Sequence, residues 1–170
     1  MPDTLSNWNA LPPAEAATAI LPCNGSRAWA EQIVALRPFA TPFDLTCSAD
    51  IIWRALPGQA WQQAFDSHPR IGEHKAKLAT EQSLQWSAGE QATANPNDAV
   101  KAALVAANQA YEQKFGRIFI VCATGKSAAE MLAILNQRMA NDPATELREA
   151  AEQQRQITQI RLRKWLGTST

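Results

Sequence analysis

An all-α fold is what this sequence predicts, and three observations carry the prediction. Alanine, glutamine, glutamate and leucine dominate, β-branched residues are sparse, and start and stop signals for helices recur along the chain. A chain of 170 residues is long enough to bury roughly two-thirds of its unfolded surface. We therefore expect one compact multi-helix domain over residues 1–170 that needs no metal or disulfide staple.

The elements follow in order. Pro12 and Pro13 open PPAEAATAIL, which ends before Pro22, and Asn24 or Ser26 is placed to cap RAWAEQIVALR, where Trp29, Ile33 and Leu36 share a face. SADIIWRAL and GQAWQQAFDS are short helices split by Pro57 and Gly58, and the second runs straight into His68. Between residues 75 and 96 the chain turns polar; there SAGE has the S-x-x-E form of a capping box, which predicts a helix starting at Ser87 with Glu90 as its N3 partner. Asn97 or Asp98 caps AVKAALVAANQAYEQKF, which Gly116 stops. A second box, SAAE, opens EMLAILNQRMAN at Ser127, and Asp142 with Pro143 supplies a cap and first-turn proline for a last helix reaching about Trp165. The run RIFIVCATG fits none of this. It has no second β-type run to pair with, so it is expected to be a short extended, buried connector near residues 117–124 whose N–H and C=O groups need partners, a ligand included.

Composition narrows the function. Sixteen basic and sixteen acidic residues cancel, which removes the electrostatic footprint of a nucleic-acid binder. The apolar runs are all far shorter than the ~20 residues a spanning helix requires. No nucleic acid and no membrane is therefore the expectation, leaving a small molecule or another protein as partner. Cys23, Cys47 and Cys122 are scattered without a C-x-x-C pair, as suits free thiols in a reducing compartment. The N-terminus lacks the basic-then-apolar pattern of a secretory signal, so the cytoplasm is the default location.

Four features can carry chemistry. His68 precedes Pro69, which disfavours helical geometry at residue 68 and so presents the imidazole at a helix C-terminus, where its protonated form is favoured and general acid–base work is possible. The bland alternative is a packed, hydrogen-bonded histidine. His74 reads as a solvated loop residue. A metal site from Asp66, His68, Glu73 and His74 can be drawn, but the spacing matches no zinc pattern. Glu90, besides its capping role, would stand at a helix N-terminus open to an anionic ligand. Arg161 falls inside the apolar stripe of the last helix, between Ile157 and the line of Leu147, Ala151 and Trp165. It is either snorkelling or paired with a carboxylate such as Glu90 or Glu112, or it is a planar multi-donor group for a pocket. Trp8, Trp29, Trp53, Trp61, Trp86 and Trp165 are core or interface anchors. Lys126 in ATGKS lacks the upstream glycine of a phosphate loop.

FDSHPRIGE, SAGEQA, ANQAYEQKFGRIFIVCATGKS, LNQR and ELREAAEQQRQITQIRLRKWL resemble, in that order, the 2-oxo-4-hydroxy-4-carboxy-5-ureidoimidazoline (OHCU) decarboxylases of purine catabolism. HPRIG and Y-x-x-K-F-G-x-x-F-I-x-x-A-x-G-K are the most specific parts. The resemblance implies an all-helical, usually homodimeric carboxy-lyase that uses no cofactor and no metal. It would convert OHCU to (S)-allantoin, downstream of urate oxidase and hydroxyisourate hydrolase. It further implies His68 as catalytic histidine with Pro69 beside it, and Ser87, Glu90 and Gln91 as a polar wall. Phe119, Ile120, Val121, Cys122 and Ala123 would bind substrate through their main chain, and Arg161 would be donated by the last helix. Arg117 stands where relatives are often apolar, and nothing in the sequence accounts for it. The rival class is a non-catalytic helical interaction module, which an exposed apolar docking face without a polar pocket would support.

Overall fold

The computed structural model describes residues 3–73, 80–92 and 97–168, and over these the chain is all-α, with nine α-helices, one 3-10 turn and no strand. No helix among them is long and apolar enough to cross a membrane. The chain forms two compact units, one made of the residues up to Ala64 together with those from Arg155, the other of Phe65–Gln154. The boundaries fall within helices α5 (Gly58–Asp66) and α9 (Pro143–Leu166).

In the first unit, α1 (Thr4–Asn9) has no counterpart among the predicted elements; Asp3 caps it by accepting the Ser6 N–H at 2.7 Å, and it buries Leu5 and Trp8. α2 (Pro13–Ile20) begins on its proline and passes into a 3-10 turn, Leu21–Cys23. Of the two candidate caps for α3 (Arg27–Ala35), Ser26 takes the role. Asn24 instead accepts the Ser26 N–H and donates to Thr158 Oγ1, each at 3.0 Å. α4 (Pro42–Ala55) starts ahead of the predicted Ser48 because Thr41 and Asp44 close a capping box around Pro42 at N1. The core here is built on Trp8, Trp29 and Trp53. Two of the indoles satisfy their N–H on carbonyls, Trp8 on Ala16 at 2.8 Å and Trp29 on Ala49 at 3.2 Å, which is what allows such bulk to be buried.

In the second unit the predicted helix at Ser87 is overturned. α6 spans Glu81–Glu90 and is started by Thr80, which exchanges capping hydrogen bonds with Ser83. Ser87 therefore lies inside the helix and Glu90 is its last residue, so the anion-receptive N-terminus expected at Glu90 does not exist. A box with serine rather than Glu or Gln at N3 is a weaker sequence signal, and SAGE competed with it. α7 (Asp98–Phe115) is capped by Asn97 and stopped by Gly116, left-handed at φ 70°. α8 (Ala128–Arg138) opens with the predicted Ser127–Glu130 box, and Asp142 accepts the Thr145 N–H at the start of α9.

α7 packs on α8, and between them lies an apolar cluster of Tyr111, Phe115, Phe119, Val121, Ala123, Met131 and Leu135. Residues 119, 121 and 123 enter this cluster while the equally buried Ile120 and Cys122 do not. That period of two is the signature of extended backbone, and the run 117–123 is neither helix nor turn. The predicted connector is present, and it is buried.

Candidate functional site

His68 follows α5 by two residues. Its N–H bonds the Phe65 carbonyl at 3.1 Å, closing the end of the helix, and Pro69 prevents the helix from continuing. The side chain is only 8% exposed. Its Nε2 lies 2.6 Å from Oε1 of Gln154, itself fully buried. An amide oxygen can only accept, so with the Gln154 amide oriented this way the hydrogen bond is donated by Nε2. Gln154 was not singled out in the sequence; its position on α9, 86 residues away, leaves no local trace.

Pro69 and Ser87 are buried, and Glu90 is half-buried at the C-terminal end of α6. A carboxylate there opposes the helix dipole, so its placement costs local stability. Gln91 caps α6 and accepts the Gly72 N–H through Oε1 at 3.0 Å, which ties α6 to the turn after Pro69. Arg70 is held by Glu112 through Nε at 2.7 Å and Nη2 at 3.3 Å, a bidentate pair that raises the guanidinium pKa further. Glu112 is thus engaged within this unit. An open cavity of about 840 Å³ lies alongside, its lining including Arg70, Gln91, Lys101, Asn108 and Glu112; Gln91 is the one sequence-predicted site residue that lines it. His74 lies outside the described residues.

The strip 119–123 is held from one side. Arg138 Nη1 donates to the Ile120 carbonyl at 2.6 Å, the Cys122 N–H donates to Gln153 Oε1 at 2.9 Å, and Lys126 Nζ donates to the Cys122 carbonyl at 2.7 Å. The expectation that this backbone needs partners is met in part by side chains. Val121, in contrast, makes no main-chain hydrogen bond to another described residue, nor does the Ala123 N–H. In extended backbone the peptide groups of alternate residues point to opposite edges. One edge of the strip is therefore tied to α8 and α9, and the other offers polar groups of Val121 and Ala123.

Arg161 belongs to the other unit. It is 1% exposed, and its Nη1 donates to the Pro22 carbonyl at 3.1 Å. Burial pushes the neighbouring Cys23 thiol up to about 12, with the Arg161 charge acting against that rise. Arg117 retains two buried guanidinium nitrogens, Nε and Nη1, without a hydrogen-bond partner, and nothing in the structure explains it. Among the described residues no group of three His, Cys, Asp or Glu side chains is placed to hold a metal ion.

The family model of OHCU decarboxylases matches residues 9–163. The chain belongs to the OHCU decarboxylase family. Family members with 30% identity or more include a uric acid degradation bifunctional protein from Arabidopsis thaliana, 35% identical over 84% of this chain but only 44% of its own length. A 2-oxo-4-hydroxy-4-carboxy-5-ureidoimidazoline decarboxylase from Amia calva is 33% identical over 74% of this chain and 73% of that protein. The chain thus spans less than half of the plant relative. A crystal structure of an OHCU decarboxylase determined in the presence of (S)-allantoin superposes with a TM-score of 0.75 at 33% identity, covering 86% of this chain and 96% of the other. An (S)-allantoin synthase, 20% identical with a TM-score of 0.72 over 97% of this chain and 54% of its own, shares the fold.

Proposed function

We propose that this member of the OHCU decarboxylase family decarboxylates OHCU to (S)-allantoin without a cofactor. The observation that carries the reading is the uncommitted edge of the buried strip 119–123. The substrate's ureido group and ring present N–H and C=O groups of the same kind as a peptide, and the polar edge at Val121 and Ala123 is chemically matched to them.

In the reaction the C–CO2 bond breaks, carbon dioxide leaves, and the electron pair stays on the ring carbon, where the conjugated ring disperses it. This requires the breaking bond to stand perpendicular to the ring, so the first task of the site is positioning. Main-chain N–H groups aimed where charge develops lower the barrier, each contact worth about 3 kcal/mol. His68, its ring held by Gln154, handles the proton, and delivery to one face of the ring gives a single enantiomer. Glu90 orients the hydroxyl or ureido group, and its charge disfavours the ground-state carboxylate more than the charge-dispersed transition state. The unfavourable position of that carboxylate at a helix C-terminus fits a group kept for chemistry rather than stability. Pro69, Ser87 and Gln91 complete the wall. We assign the reaction to cytoplasmic urate breakdown, after urate oxidase and hydroxyisourate hydrolase, and the active form to a homodimer.

The test is to supply freshly generated OHCU and follow the circular dichroism of allantoin. The wild-type protein is expected to give the (S)-enantiomer well above the spontaneous rate, His68→Asn to fold but lose nearly all activity, and His74→Asn to match the wild type. Racemic product at the spontaneous rate would overturn the assignment, and a His68→Asn protein that keeps most of its turnover would remove His68 from it.

A further inference from the structure

The strip is held by a buried polar assembly for which the proposed reaction has no direct use. Arg138, on the last turn of α8, is 6% exposed and Glu146, on the first turns of α9, is 0% exposed. Nε and Nη2 of Arg138 both reach Glu146 Oε1, at 2.9 and 2.5 Å. The same carboxylate accepts the Tyr111 hydroxyl of α7 at 2.5 Å and the Asn141 amide at 3.0 Å. The guanidinium lies 4.6 Å from the centroid of the Phe119 ring, and its remaining terminal nitrogen holds the Ile120 carbonyl.

A simple buried ion pair needs only its two members, and well-packed apolar residues serve stability as well or better. Here the fork is divided. One side is fixed by a carboxylate that two further donors orient, and the other fixes two successive residues of the strip by a hydrogen bond and a ring face. Because peptide groups alternate in extended backbone, clamping the Ile120 carbonyl to α8 determines which way the Val121 groups point. We propose that Arg138, oriented by Glu146 and Tyr111, is a positioning residue that sets the strip in its substrate-binding conformation. The inference rests on the strip being the binding edge.

Arg138→Lys keeps the positive charge beside Glu146, but a single ammonium cannot reproduce the divided fork. Two readouts separate this inference from the functional one. The first is amide hydrogen exchange over residues 119–123, which is independent of turnover; the second is the split between kcat and KM on OHCU. For Arg138→Lys, exchange across the strip is expected to rise at least about tenfold, and kcat to fall on the order of tenfold to hundredfold with KM nearly unchanged, as misplacement of transition-state donors implies. Tyr111→Phe, which removes only the hydroxyl that orients Glu146, should show the same pattern at about a few-fold. A folded Arg138→Lys protein with wild-type exchange and kcat overturns the proposal. If that variant does not fold, Tyr111→Phe decides, and unchanged exchange and kcat there are equally fatal. A wild-type protein inert toward OHCU would defeat the functional reading, while the exchange measurement would still judge whether Arg138 holds the strip.

Discussion

At the residue scale, buried polar groups sit where apolar residues would pack more simply. Arg161 is buried on an apolar stripe, as its position in the helix indicated, and its surroundings include the Pro22 carbonyl and the Cys23 thiol. If it has the role the family resemblance implies, Arg161→Lys is expected to fold and to lose most of its decarboxylase activity, because an ammonium cannot present a planar fork; full activity would reduce it to a structural group. Cys23 and Tyr111 supply a second prediction. Burial raises the thiol from its ordinary 9.0 to about 12, and burial together with the Glu146 carboxylate raises the Tyr111 hydroxyl above its ordinary 10.0. The folded state holds both protons more tightly than the unfolded chain. Their contribution to stability is thus fully present below pH 9 and is lost as pH climbs toward 12. Melting temperatures measured across that interval should fall steadily, and Cys23→Ala should flatten the early part of the decline; an unchanged slope in the variant would place the alkaline loss elsewhere.

At the scale of elements, the helices whose caps use the commonest chemistry were legible. Ser127 with Glu130, Asn97, and Asp142 before Pro143 each supply an acceptor to a helix-starting N–H. Elements with less usual starts were not: α1 behind Asp3, the early turn of α4 around Thr41, Pro42 and Asp44, and α6 behind Thr80 and Ser83. The helix ends at Gly116 for a conformational reason. Its φ of 70° is left-handed, and a Cβ placed there would meet nothing within 4 Å, so the penalty of a side chain is in the backbone alone. Gly116→Ala is expected to lower stability by about 1–2 kcal/mol in urea unfolding, and Gly116→Asn by less. Equal stability of the alanine variant would mean that the chain between α7 and the strip relaxes freely.

At the scale of the whole molecule, the family match runs from residue 9 to 163 and so crosses both compact units. Because α5 and α9 each contribute residues to both, we expect residues 1–170 to unfold as one cooperative domain, with calorimetric and van't Hoff enthalpies equal; two resolved transitions would make the units separate domains. The local structure around several candidate site residues could be read from the sequence, but their long-range partners could not. The local pattern around His68 gave its helix end, since Pro69 acts on its immediate neighbour, and the apolar run before Gly125 stood out as the one segment unlike a helix. Both follow from interactions within a few residues, which a sequence records directly. The capping pattern at Ser87 and Glu90 misled because two overlapping local signals competed, and packing selected the one at Thr80. Only the tertiary structure decided that Gln154 fixes the His68 ring, that Gln153 and Lys126 hold Cys122, and that Arg138 with Glu146 and Tyr111 holds Ile120. Apart from the Lys126 contact, these pairs lie between 8 and 86 residues apart. Hydrogen bonds over such separations depend on where helices pack rather than on local spacing, so the sequence by itself determined the all-α elements and the odd strip, and tertiary packing determined which edge of that strip the protein's own side chains hold.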